Sequence, residues 1–228
     1  MRLVELNIHT AVITYLIALG FCLYGYRQVK GRLREVQIPL LGIGTIFVFL
    51  IQLITFPVSG SLLGHFCGAL LLSMILGPWT TCLVMALVIL VQTVLFSQGS
   101  LIGMGANIIN IGIISSVGGL YLLNIIKTFF PPHQNRGFLI ATGLTAWISF
   151  VLSYLAADLM VFLDGKTLPQ FSLLNAAGLF GLCEALITSS VIGLFLAARP
   201  DLVTSFCCGN DKDVCYDDTH HKPAPHKH

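Results

Sequence analysis

The chain has 228 residues, of which 56% are hydrophobic and only 10% charged, with a mean hydropathy of +0.88. An ordinary soluble domain carries about 25% charged residues, so a water-soluble fold is excluded, and spans of about 20 residues each leave no room for a separate soluble domain. The net charge of +2 says little about partners, because in a membrane chain the position of each charge matters more than the sum.

Apolar runs predict spans at 10–26, 38–56, 62–77, 80–96, 101–126, 137–163 and 173–198, giving an all-α, polytopic membrane protein of about seven transmembrane helices. The first run lacks the basic region, short apolar core and cleavage site of a signal peptide, so it is expected to remain as a span. Phe56-Pro57-Val58-Ser59-Gly60 and Gly77-Pro78-Trp79 flank the third run as breakers. That run is therefore expected to be a short buried helix, preceded by irregular backbone that lines a cavity or faces water. Gly64-His65-Phe66-Cys67-Gly68 puts an imidazole at the outer start of this helix. A neutral imidazole is a good ligand for nickel, cobalt, copper or zinc; a histidine hydrogen-bonded inside the bundle is the alternative reading. The small residues Ser59, Gly60, Ser61, Gly64 and Gly68 suit either close packing or a tight metal pocket.

Asn107 and Asn110 in the fifth run lie three residues apart, on one helix face, where they either orient a histidine or join helices. Gln92 in the fourth run is placed to enter the same network. Asp158 in the sixth run and Glu184 in the seventh each cost about 2.5–3.5 kcal/mol to insert, so each is expected to face the bundle interior with a partner. Both are functional candidates. Glu184 is alternatively a tie between helices through Ser, Thr or backbone groups, and Asp158 alternatively lies near the wet outer surface.

Arg27, Lys30, Arg32, Arg34, Lys127, Arg136 and Arg199 fall on one side of these spans, and only Arg2 and Lys166 on the other. The positive-inside bias predicts an external amino terminus and a cytoplasmic carboxyl terminus, with the loops at 57–61, 97–100 and 164–172 outside. Residues 1–203 then form the transmembrane domain, and 204–228 a cytoplasmic tail. Its Cys207, Cys208, Cys215, His220, His221, His226 and His228 match no closed zinc spacing, and its composition predicts disorder. Gly165-Lys166-Thr167 lacks the upstream glycine of a phosphate loop, since position 160 is methionine. Gly42-Ile43-Gly44 and Gly103-Met104-Gly105 lack the third glycine of a dinucleotide fingerprint. The chain is expected to bind no nucleotide and no nucleic acid, so any ATP-driven step belongs to another subunit.

Phe56-Pro57-Val58-Ser59-Gly60, Gly64-His65, Leu76-Gly77-Pro78-Trp79, Val91-Gln92, Gly105-Ala106-Asn107 and Asn110 recur in an order that resembles the CbiM/NikM family. Glu184-Ala185-Leu186-Ile187-Thr188 and Arg199-Pro200-Asp201-Leu202 are similar to its last helix, so the likeness spans most of 10–203. The resemblance implies a seven-helix substrate-capture component of an energy-coupling-factor transporter in the bacterial inner membrane. Its transported substrate is Ni(II) or Co(II), taken from outside. It implies as partners a transmembrane coupling subunit, two cytoplasmic ATPase subunits and a small accessory membrane subunit, besides membrane lipid. Family members begin Met-His-Ile-Pro and build a near-square-planar, four-nitrogen site from the terminal amine, the second backbone nitrogen, the second imidazole and a later histidine. Met1 and His65 match that pattern, but Arg2 stands where the second histidine belongs. His9 is the other histidine on the external side and is the candidate substitute, with a seat at the membrane interface as its alternative. Tetragonal nitrogen ligation favours Ni(II) or Cu(II), so the departure leaves nickel against cobalt open. Two other functions stay in view: the same architecture capturing a different small ligand, such as an organic micronutrient, and an intramembrane enzyme using Glu184 or Asp158 with His65. For the enzyme, no paired acid and nucleophile fall in register.

Overall fold

A computed structural model describes residues 6–31, 37–59, 62–96, 99–130, 135–165 and 170–203. Long apolar runs form helices α1 (Ile8–Val29), α2 (Gln37–Leu53), α4 (Pro78–Leu95), α7 (Asn135–Leu163) and α8 (Gln170–Ala198), and the glycines inside them are tolerated because the runs are long and apolar. The fifth apolar run is one helical segment that changes its winding, from α5 (Met104–Asn107) through a π-helix (Ile108–Gly118) to α6 (Gly119–Ile126). Among the described residues, five helices are long and apolar enough to cross a membrane: Ile8–Val29, Pro78–Leu95, Met104–Phe129, Arg136–Leu163 and Ala177–Ala198. The 17-residue α2 is a shorter apolar helix. Leu16, Ile43, Leu95, Phe129 and Leu194 stand exposed around the bundle, a surface that suits lipid and would be a liability in water. This is a multi-pass membrane protein.

The third apolar run departs from the sequence reading in two ways. Its helix, α3 (Ala69–Leu76), has 8 residues, all of them buried. At about 1.5 Å per residue this helix alone cannot cross a hydrocarbon layer of about 30 Å, so it is a core helix as expected and does not span by itself. The backbone before it is paired, not irregular: β1 (Thr55–Ser59) and β2 (Leu62–His65) form an antiparallel hairpin with Thr55 opposite His65 and Phe56 opposite Gly64. Pro57 is tolerated because a two-stranded sheet has only edge strands, and a register irregularity lies between Pro57 and Ser59. The hairpin satisfies backbone groups that no helix satisfies there. It also shifts the second run's helical end back to Leu53 and makes His65 the last residue of a strand, not the start of α3.

Close backbone approach fixes α1 against α5. A Cβ on Gly105 would lie 2.8 Å from the Tyr15 nitrogen and 3.0 Å from the Thr14 carbonyl carbon, and the Tyr15 hydroxyl donates to the Leu101 carbonyl. The start of α1 is tied to the end of α7 as well. Asp164, only 7% exposed, accepts from the Asn7 amide at 2.8 Å and from Thr10 Oγ1 at 2.6 Å, while Asn7 Nδ2 donates to its carbonyl at 3.2 Å. A carboxylate is favoured at a helix amino terminus, where backbone N–H groups lack partners. Leu6 is buried beside this clamp with Ala106, Ala157 and Val161. Asp164→Ala should therefore lower stability by about 1–3 kcal/mol, read as a drop in the melting temperature of the detergent-purified protein; an unchanged melt would show that the clamp contributes nothing.

Candidate metal site

The segment between β2 and α3 is held from two helices. Glu184 of α8, 4% exposed, accepts from the Cys67 amide through Oε2 at 3.0 Å and from the Gly68 amide through Oε1 at 2.7 Å. Gln52 of α2, 1% exposed, donates from Nε2 to the Cys67 carbonyl at 2.7 Å. Both polar edges of the Cys67–Gly68 peptide are thus engaged, the N–H by Glu184 and the carbonyl by Gln52. Gly68 has φ +64°, the left-handed region that glycine adopts without strain, and a Cβ there would meet Val48 Cγ2 at 3.0 Å. The sequence reading of Glu184 as a tie through backbone groups is the geometry found.

This frame carries His65. Its Nδ1 lies 2.8 Å from the Phe66 carbonyl, and because a carbonyl only accepts, Nδ1 holds the proton. The lone pair is then on Nε2, the arrangement that prepares an imidazole as a metal ligand. His65 lies outside the spanning helices, and desolvation of this half-buried ring lowers its pKa from 6.5 to about 3. The ring is neutral, and so able to ligate, across the physiological range.

His65 lines a cavity of ≈30 Å³ with Cys67, Asn107, Asn110, Ile111, Phe150, Ser153 and Tyr154. Such a space admits an ion or a water molecule or two. Ser153 Oγ donates to the Asn110 carbonyl at 2.7 Å and sits 2.6 Å from Ser115 Oγ, while the Phe150 and Tyr154 rings pack with centroids 4.9 Å apart. Three residues singled out by sequence, His65, Asn107 and Asn110, are brought together here. Others are not. His9 is exposed on the first turn of α1 and does not line the cavity. Gln92 is buried, does not line it, and has an Nε2 with no partner among the described residues. Asp158 is partly buried one turn beyond Tyr154, with its Oδ1 unpartnered among the described residues. Met1 and the Cys/His tail lie outside the described residues. Among the described residues no group of three or more His, Cys, Asp and Glu is placed to hold a metal, which leaves His65 as the cavity's strong nitrogen donor.

Cys67, Phe150, Ser153 and Tyr154 were not anticipated. A signal for Ser153 existed: Thr142, Thr145, Ser149 and Ser153 recur at helical spacing and are all buried, a polar column down one face of α7.

Fold and site together define a multi-pass membrane protein whose buried cavity joins one histidine to amides and hydroxyls in a space sized for an ion. Residues 5–202 match the family described as the cobalt uptake substrate-specific transmembrane region, CbiM, and the chain belongs to that family. It is 28% identical over 205 residues to a protein of Archaeoglobus fulgidus provisionally assigned as a fused nickel transport protein, covering 87% of this chain and 65% of that one. It is 27% identical over 172 residues to the cobalt transport protein CbiM of Sorangium cellulosum, covering 72% of this chain and 76% of the relative. Its fold is similar to that of a truncated transition metal transporter, with a TM-score of 0.77 at 20% identity over 86% of this chain and 99% of the other. Both curated relatives are named for transport of nickel or cobalt.

Proposed function

We propose that the chain is the metal-capture subunit of a transporter that imports Ni(II) or Co(II), with ATP hydrolysis supplied by partner subunits. The observation that carries this reading is His65 in the small cavity, with Nδ1 bound to a carbonyl and Nε2 left as a ligand. Family membership and relatives named for nickel and cobalt transport support the same cargo. The Lys/Arg asymmetry puts the cavity end outside, so capture is external. Residues 1–203 form the capture unit and 204–228 a cytoplasmic tail. A transmembrane coupling subunit, two cytoplasmic ATPases and a small accessory membrane protein complete the assembly. An organic micronutrient fits poorly, because small-molecule pockets run to about 300–1,000 Å³ against ≈30 Å³ here.

Co-expression with the coupling and ATPase subunits should give cells that accumulate nickel or cobalt, and an ATPase subunit mutated in its nucleotide site should abolish that uptake. Accumulation that persists with the inactive ATPase would exclude the energy-coupling mechanism while leaving metal capture standing.

A further inference from the structure

Asn110 is the least explained polar residue of the cavity. It is 3% exposed, and neither its Oδ1 nor its Nδ2 has a hydrogen-bond partner among the described residues. Native interiors seldom leave a buried amide in this state, and where they do an ion, a water or a functional role accounts for it. The residue is otherwise well held. Its carbonyl accepts from Ser153 Oγ of α7 at 2.7 Å, Ser153 is paired with Ser115 at 2.6 Å, and Asn110 and Ser115 both sit in the π-helical stretch Ile108–Gly118. Such non-α windings recur at functional sites. A fixed backbone thus presents an unmet amide to the same cavity that His65 lines.

We propose that Asn110 ligates the transported cation directly, its Oδ1 joining His65 Nε2 in one coordination sphere. This deepens the metal-capture reading and rests on it. His65 and Asn110 both line the one cavity of ≈30 Å³, a space that admits an ion or a water molecule or two. The amide oxygen has two lone pairs to offer, and Nδ2 is left to donate to another ligand of the same ion. The donor set so formed is mixed, imidazole nitrogen with neutral oxygen, which suits first-row divalent ions in open, water-completed geometries more than soft monovalent copper. Arg2 removes the imidazole that a four-nitrogen square would take from position 2, so an oxygen donor from the π-helix gives this chain a different sphere.

The test uses the full-length protein in detergent, titrated calorimetrically with Co(II) and with Ni(II), with the ligand-field absorption of the Co(II) complex recorded alongside. Asn110→Ala should weaken binding by about 10- to 100-fold and move the cobalt bands. Asn110→Asp, of equal size but carrying a charged oxygen, should bind at least as tightly as the unmodified protein and also change the spectrum. Unchanged affinity and an unchanged spectrum in Asn110→Ala would overturn the assignment, leaving the amide to water alone and the metal-capture reading intact. An unmodified protein that binds neither metal would overturn both. If Asn110→Ala fails to fold, Asn110→Asp decides: weaker binding, or wild-type cobalt bands, overturns the proposal.

Discussion

Replacing His65 with alanine should abolish high-affinity nickel or cobalt binding, raising Kd by more than about 100-fold, the upper range for disturbing groups one step further from a metal, while the protein is expected to stay folded. His65 is the cavity's strong nitrogen donor, and the described residues offer no cluster of three ionisable ligands to replace it. Its structural attachment is slight by comparison: the ring is half-buried, and among the described residues its one side-chain hydrogen bond runs to the carbonyl of the next residue. Losing a local bond of that kind costs about 0.5–1.5 kcal/mol, well within a typical domain stability of about 5–15 kcal/mol. The companion variant His9→Ala should bind metal normally, since His9 is exposed and lies off the cavity. Calorimetric titration of both variants, beside their melting curves, reads the result. Wild-type affinity in His65→Ala would remove the cavity from consideration, and a loss in His9→Ala would restore the exposed histidine as a ligand.

Helices were readable because the membrane demands long apolar runs, and the seven runs map in order onto α1, α2, α3, α4, Met104–Phe129, α7 and α8. The hairpin was not. Its strands have 5 and 4 residues and contain proline and glycine, so single-residue signals read as breakers while the pairing that satisfies the backbone is a property of both strands together. Residue type and spacing were enough to single out His65, Asn107 and Asn110. Placement on the predicted external side was not enough for His9, because it does not say which face of α1 a side chain occupies. The partner of Glu184 was equally hidden. A carboxylate in an apolar run announces that it needs partners, but the two amides it meets lie 116 and 117 residues away, a distance that only the packed bundle closes. Asp164 falls in a predicted loop, and its bonds to Asn7 and Thr10 depend on α1 and α7 meeting at one end.

Glu184 is where stability and metal binding should fall together. Glu184→Leu removes both acceptors from the Cys67 and Gly68 amides. Each buried donor left unmet costs about 1–3 kcal/mol, so the variant loses about 2–6 kcal/mol, a large share of a stability of about 5–15 kcal/mol. Glu184→Gln keeps the shape and one acceptor oxygen, but turns an NH2 toward one of the two amide donors. It should lose about half as much. Gln52 still holds the Cys67 carbonyl in both variants, so the segment loosens without being released, and His65, two residues before Cys67, loses its fixed aim. Metal affinity of Glu184→Gln is therefore expected to fall by about 10- to 100-fold, as when the groups that orient a ligand are changed. Melting temperature and calorimetric affinity measured on the same preparation separate the two effects. A Glu184→Gln protein that melts lower yet binds metal as tightly as the unmodified chain would make the clamp a packing device alone, with His65 held in place by the hairpin and not by α8.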